Sequence, residues 1–170
     1  MKKRLVIFFV AVLVLGFGYA AYAIHETPVS GTKSVIPGAD AAGLYNYITN
    51  PKPYTDTMKP WPGKEERSPA KEPHGAFAKT YVNSPALKAI KSKAKMPDGA
   101  VIIHEEYNAK NNLVALSVMY KMKGFNSEAG DWFCAKYDAL NGYVLESGKS
   151  ASCIACHDSK EATDYLFSVE

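Results

Sequence analysis

The feature that most constrains this chain is a short cysteine and histidine motif thirteen residues from its C-terminal end. Cys153, Cys156 and His157 follow one another in the pattern Cys-x-x-Cys-His. Serines before the motif and the stretch Lys160-Glu161-Ala162 after it favour a helix. On a helix, two residues three positions apart lie on the same side, so both thiols and the imidazole face one bound group.

Two thiols with this spacing can bond to the two vinyl groups of one porphyrin, while the adjacent imidazole reaches the iron. The motif therefore predicts one covalent haem c, attached through Cys153 and Cys156, with His157 as an axial iron ligand. The alternatives are a disulfide, a thioredoxin-like redox pair and half of a zinc site. A thioredoxin-like pair usually opens a helix near the start of its domain. A zinc site needs a second ligand cluster, and the other cysteine and histidines are far apart: His25, His74, His104 and Cys134.

The N-terminus has the pattern of an export signal. Met1-Lys2-Lys3-Arg4 precedes an apolar run that ends in Ala21-Tyr22-Ala23. A basic start, an apolar centre and small residues at the end are typical of a cleaved signal peptide, here residues 1–23. The alternative is an uncleaved membrane anchor, because the run is close to the spanning length. We expect a periplasmic protein without stable membrane insertion after cleavage.

Cleavage removes three basic and no acidic residues, which leaves seventeen of each sign and a formal net charge of zero. A neutral chain without runs of Lys or Arg gives no reason to expect nucleic acid or an anionic membrane as a partner. The remaining 147 residues suffice for one domain. We interpret residues 24–38 as a flexible leader and residues 39–170 as a single haem domain.

The central part of the chain has the pattern of an antiparallel sheet. Residues 39–48 predict a short helix, and residues 50–73 contain six of the ten prolines and predict a long loop. Ser84-Pro85 supplies a start signal for another helix. Runs rich in β-branched and aromatic residues, separated by turn signals, predict strands at residues 76–82, 100–107, 113–122, 131–138 and 143–145. We therefore predict an α+β fold with four or five antiparallel strands, a few short helices and the motif on the C-terminal helix.

Several short motifs occur in an order that resembles a known family. They run from Trp61 to Phe167: Trp61-Pro62-Gly63, Pro73-His74-Gly75, Tyr81-Val82-Asn83, Pro97-Asp98-Gly99, Met119-Tyr120-Lys121, Gly130-Asp131-Trp132, and Asp164-Tyr165-Leu166-Phe167 after the haem motif. In this order they are similar to the cytochrome P-460 family, which includes the β-sheet cytochromes c′-beta. The resemblance implies a monohaem domain whose antiparallel sheet covers the haem. It also implies a five-coordinate iron that binds nitric oxide or oxidises hydroxylamine.

The chain departs from this family at one position that matters for catalysis. The namesake enzymes cross-link a lysine of the strand after the Pro-Asp-Gly turn to the porphyrin, and the matching position here is His104. His104 could stack beside the porphyrin, hydrogen-bond a propionate, bond to the porphyrin or coordinate the iron. The alternative is an ordinary strand histidine paired with Glu106 on the same face. We keep His104 as a candidate catalytic and cofactor-binding residue.

Strand alternation supplies further candidates for the haem pocket. Phe77, Lys79 and Tyr81 share one face of their strand, and Met119 shares a face of another with Ala115 and Ser117. Lys79 could offer a positive charge to an anion or a propionate, or could remain solvated at a sheet edge. We predict Lys79, Phe77 and Met119 as cofactor-binding candidates, although a methionine in a strand is more often part of the core.

The combined hypothesis is a periplasmic cytochrome that binds or oxidises a small nitrogen species and passes electrons to a partner cytochrome. One alternative is an electron carrier whose iron is saturated by His104 or an upstream methionine, namely Met58, Met96, Met119 or Met122. Another is a gas-binding protein without turnover. Whether the protein is an enzyme stays open, and exposed strand edges would allow a homodimer.

Protein exported by cells that mature c-type cytochromes should be coloured. We expect its pyridine haemochrome spectrum to be that of a haem with two thioether bonds, and the pigment to stay with the protein in acid acetone. Colourless protein, or pigment extracted by acid acetone, would contradict the haem assignment.

Overall fold

A computed structural model of the protein describes residues 36–167. The predicted signal peptide and most of the predicted leader lie outside the described residues, so these two assignments stay predictions. Within residues 36–167, no helix is both long enough and apolar enough to cross a membrane.

A seven-stranded antiparallel sheet forms the centre of the fold, in the order β1-β3-β4-β5-β6-β7, with β2 also paired to β3. From β3 to β7 each strand pairs with the next along the chain, as short connections favour. The strands are β1 Lys59–Pro60, β2 Ser68–Pro69, β3 Phe77–Val82, β4 Val101–Tyr107, β5 Leu113–Lys121, β6 Trp132–Asp138 and β7 Val144–Gly148. The α+β prediction is confirmed, and its five strands correspond to β3–β7.

The two additional strands lie in the proline-rich segment that the sequence predicts to be loop. β1 and β2 are two residues each, and both pair with the outer edge of β3. Each ends in a proline, Pro60 or Pro69, which an edge strand tolerates because one side of its backbone needs no partner. Strands this short have no periodicity, so the pattern could not reveal them.

The described residues form four α-helices beside the sheet: α1 Ala41–Thr49, α2 Tyr54–Thr57, α3 Ser84–Ser92 and α4 Ala151–His157. Asn83 caps α3 by accepting a hydrogen bond from the Ala86 N–H at 3.2 Å, so the cap lies one residue before the Ser84 that the sequence suggests. Ser150 caps α4 in the same way, through the Cys153 N–H. The motif is therefore helical, as predicted, and a 3₁₀ segment, Asp158–Thr163, follows it.

The sheet separates two apolar cores because successive strand residues point to opposite faces. On the face that we call the α1 face, Leu44 and Ile48 of α1 pack against Ile103, Val118 and other core residues. On the opposite face, the α4 face, the core residues Ile102, Trp132 and Cys134 cluster with residues of α3 and the C-terminal segment. Cys153 and Ile154 pack on this second cluster, which seats the motif helix on the sheet.

Tyr137 joins α1 to the sheet, and its loss should weaken the fold. Its side chain is fully buried, and its hydroxyl donates a hydrogen bond to the Ala41 carbonyl at 2.7 Å. Tyr137→Phe keeps the ring but removes this hydrogen bond between the sheet and α1, so we expect the free energy of unfolding in urea to fall by about 1 kcal/mol. Tyr143→Phe is the control, because Tyr143 is 71% exposed. Equal effects of the two substitutions would contradict this role.

Candidate functional site

Helix α4 presents both cysteines of the motif one turn apart. Cys153 is half-buried against the core of the α4 face, whereas Cys156 is exposed, and both are free thiols. Ser150 fixes the start of the helix, because its hydroxyl accepts a hydrogen bond from the Cys153 N–H at 3.3 Å. This arrangement fits a porphyrin held by two thioether bonds on one side of a helical turn.

His157 is oriented by the chain that follows it. Its Nδ1 lies 2.5 Å from the Tyr165 carbonyl oxygen. A carbonyl can only accept, so Nδ1 carries the proton and Nε2 keeps its lone pair. Burial lowers the pKa of His157, which favours the neutral ring that can coordinate a metal. The side chain of His157 therefore offers Nε2 as a ligand, with a second group orienting the ring as is usual for metal-binding histidines.

The Tyr165 carbonyl, which orients His157, is held in place by the preceding residue, Asp164. The Asp164 carboxylate accepts hydrogen bonds from the Met96 N–H at 2.8 Å and from Lys121 Nζ at 2.5 Å. The Asp164 carbonyl accepts a hydrogen bond from the Trp132 indole at 2.9 Å. These bonds hold Asp164 and Tyr165 at φ values of 57° and 66°, in the left-handed region that side chains rarely adopt. Lys121 at the end of β5 and Trp132 at the start of β6 thus hold Asp164 in place. The next residue, Tyr165, then orients His157.

His104 lies in the middle of β4 on the α4 face. Thr80 Oγ1 is 2.9 Å from the Nδ1 of His104. The ring of His74 packs edge-on against the ring of His104, with 5.1 Å between the ring centroids. Burial above all, together with the neighbouring imidazoles of His74 and His157, lowers the pKa of His104 to about 4. The three histidines are thus within electrostatic range of one another. The alternative in which His104 pairs with Glu106 is not what the structure shows: the side chain of His104 is hydrogen-bonded to Thr80, and Glu106 is hydrogen-bonded to His74.

Glu106 is a buried carboxylate that the sequence analysis did not select. It is 2% exposed and accepts hydrogen bonds from Ser117 at 2.6 Å, Lys136 at 2.7 Å and His74 at 2.9 Å. Burial raises its pKa, but the hydrogen bonds from His74, Lys136 and Ser117 outweigh burial and lower the pKa to about 2. An acidic residue two positions from His104, and so on the same face of a strand in the middle of the predicted sheet, was the signal that could have identified it.

The remaining candidates divide between the two faces of the sheet. Met119 pairs with Ile102 and Cys134, so it lies on the α4 face with the motif. Lys79 pairs with Glu105, and Phe77 pairs with Tyr107, which places both on the α1 face. The structure does not bring Lys79 and Phe77 together with His157.

The zinc alternative finds no support in the described part of the chain. Among residues 36–167, no three His, Cys, Asp or Glu side chains are grouped so that they could hold a metal ion.

The half-buried histidine of β4, His104, should make the protein less stable in mild acid. The pKa of His104 is 6.5 in the unfolded chain and about 4 in the folded protein, so the unfolded state binds more protons between these values. The free energy of unfolding should fall as the pH is lowered from 6.5 to 4, with His104 contributing at most about 3 kcal/mol. His104→Asn should flatten this dependence. Glu106 acts only below its unfolded pKa of 4.5, so identical slopes of variant and wild type above pH 4.5 would contradict the assignment.

Comparison with known proteins agrees with the geometry of this site. The family model described as Cytochrome P460 matches residues 54–168, which are 115 of the 170 residues. Comparison with curated proteins gives no match. The family match includes β3–β7 with His104 and the buried Glu106, and the whole motif helix. The protein therefore belongs to the cytochrome P460 family, which identifies it as a haem cytochrome.

Proposed function

We propose that the protein is a periplasmic monohaem c-type cytochrome whose iron binds or oxidises a small nitrogen species such as hydroxylamine or nitric oxide. Cys153 and Cys156 would form the two thioether bonds, and His157 would be the proximal ligand. The observation that carries the proposal is the hydrogen bond between His157 Nδ1 and the Tyr165 carbonyl, which leaves Nε2 available beside two free thiols. The export pattern at the N-terminus supports the periplasmic location.

The haem would supply a redox-active iron that accepts electrons and binds nitrogen ligands. The chain supplies polar groups on the face of the sheet that carries α4. Hydroxylamine loses protons as it is oxidised, so turnover needs acceptors close to the iron. Glu106 is ionised and fixed by Lys136 and Ser117, and it accepts the Nδ1–H of His74. His74 can then take up a proton at Nε2, and its side chain is one third exposed, which gives the proton a route to water.

His104 supports one rival function, an electron carrier with a saturated iron. It lies on the same face as His157 and within its electrostatic range, and its Nδ1 is already bonded to Thr80. If its Nε2 coordinated the iron, two histidines would leave no position for a substrate. The observation that favours this rival is therefore the proximity of two imidazoles on the α4 face.

Spectra of the ferric protein should separate these functions. An open iron predicts a five-coordinate, high-spin resonance Raman spectrum and rapid binding of nitric oxide and carbon monoxide after reduction. Coordination by His104 instead predicts a six-coordinate, low-spin spectrum that His104→Leu converts to high spin. A low-spin spectrum of the ferric wild-type protein would therefore contradict the proposal of a substrate-binding iron.

Glu106 and Glu105 form a matched pair for testing turnover, because they are adjacent buried carboxylates on opposite faces of the sheet. With hydroxylamine and a dye as electron acceptor, Glu106→Gln should lower kcat by about 10- to 100-fold, since it removes the charge that orders His74. Glu105→Gln should leave kcat nearly unchanged, because its carboxylate bonds to Tyr54 and Tyr107 on the α1 face. Binding of nitric oxide without any hydroxylamine turnover in the wild type would assign the gas-binding function instead.

A further inference from the structure

The third cysteine of the chain lies in contact with the motif. Cys134 is on β6 and is 6% exposed, and Cys153 packs on the core cluster to which Cys134 belongs. The two thiols interact, which raises the pKa of Cys134 and lowers the pKa of Cys153. The topology explains this contact. Gly148 at the end of β7 pairs with Cys134, and α4 begins three residues later, with Cys153 and Ile154 packed on the core that contains Cys134. The pairing of β7 with β6 and the short connection to α4 therefore bring Cys153 towards Cys134.

The two thiols differ in a way that suits disulfide chemistry. Cys153 is half-buried and reachable, and the interaction with Cys134, assisted by the Ser150 and Ser152 hydroxyls, lowers the pKa of Cys153 to about 6 despite its partial burial. The same interaction, together with burial, raises the pKa of Cys134. The accessible sulfur is thus the nucleophile, and the buried sulfur is placed to react second.

We propose that Cys134 and Cys153 form a reversible disulfide in the haem-free chain, which withholds one haem-anchoring sulfur until a reductant restores it. The consequence for haem attachment rests on the proposed function, whereas the disulfide itself does not. Cys153 packs on the core cluster that contains Cys134, whereas Cys156 lies exposed on the helix, and this difference favours the Cys134–Cys153 pair over a bond between the two motif cysteines.

The oxidant is a disulfide donor, either oxidised glutathione or a disulfide-bearing oxidoreductase. The Cys153 thiolate attacks one sulfur of the donor, forms a mixed disulfide and expels one thiolate. Cys134 then attacks the Cys153 sulfur, and its proton passes to the second departing thiolate. Two protein thiols are oxidised by two electrons, one donor disulfide is reduced to two thiols, and a dithiol reverses both steps.

Peptide mapping of the haem-free full chain, produced without haem attachment and treated with oxidised glutathione, tests the disulfide. Trypsin separates residues 124–136, which contain Cys134, from residues 150–160, which contain both motif cysteines. We expect these two peptides to be linked, with Cys156 alkylated as a free thiol. The link should persist in Cys156→Ala and disappear in Cys153→Ala. A bond within residues 150–160, or three alkylated thiols, would overturn the proposal.

A second measurement tests the consequence for maturation. In cells that attach haem but lack added thiol reductant, Cys134→Ala should yield several-fold more holoprotein than wild type, and added reductant should remove the difference. The absorption spectrum of the Cys134→Ala holoprotein should match wild type, which controls for folding. Equal yields despite a mapped disulfide would overturn the role in haem attachment, while colourless wild type in all conditions would reject the proposed function and leave the disulfide standing.

Discussion

The site depends on one hydrogen bond, from the Nδ1–H of His157 to the Tyr165 carbonyl. That bond selects the tautomer of the imidazole and fixes the direction of its free nitrogen. The acceptor residue, Tyr165, has a positive φ, a backbone conformation that side chains rarely adopt. The hydrogen bonds of Asp164 keep the backbone in this conformation. Removing the Asp164 carboxylate would free the segment, and the histidine would lose its orientation although it had not itself been changed.

The alternation of side chains along β4 determines which polar residues lie on the same face of the sheet as His157. His104 and Glu106 point to the face that carries α4, while Glu105 and Tyr107 point to the other. Two chemically similar carboxylates, one residue apart, thus have separate environments: one bonds to two tyrosine hydroxyls, the other to a lysine, a serine and a histidine. A sheet one residue out of register would exchange them, so the packing of both cores protects the polar site.

Much of this arrangement could be predicted from the sequence, because periodicity and spacing are local. The five long strands, the motif helix and the candidate haem-binding residues follow from residues that are close together in the chain. The sequence could not say which face of β3 meets the motif, and so Lys79 and Phe77 were candidates although they lie with Glu105 and Tyr107. It also missed the partners of Glu106, since His74 and Lys136 are brought to it only by strand pairing and the loop before β3.

Both tryptophans of the chain, Trp61 and Trp132, belong to the core of the α4 face. The intrinsic fluorescence of the protein consequently reports on this side of the sheet. A porphyrin on the same side would absorb the emitted energy, so the emission should be dim in loaded protein and bright in empty protein. The fold thus contains an optical indicator of occupancy that needs no added label.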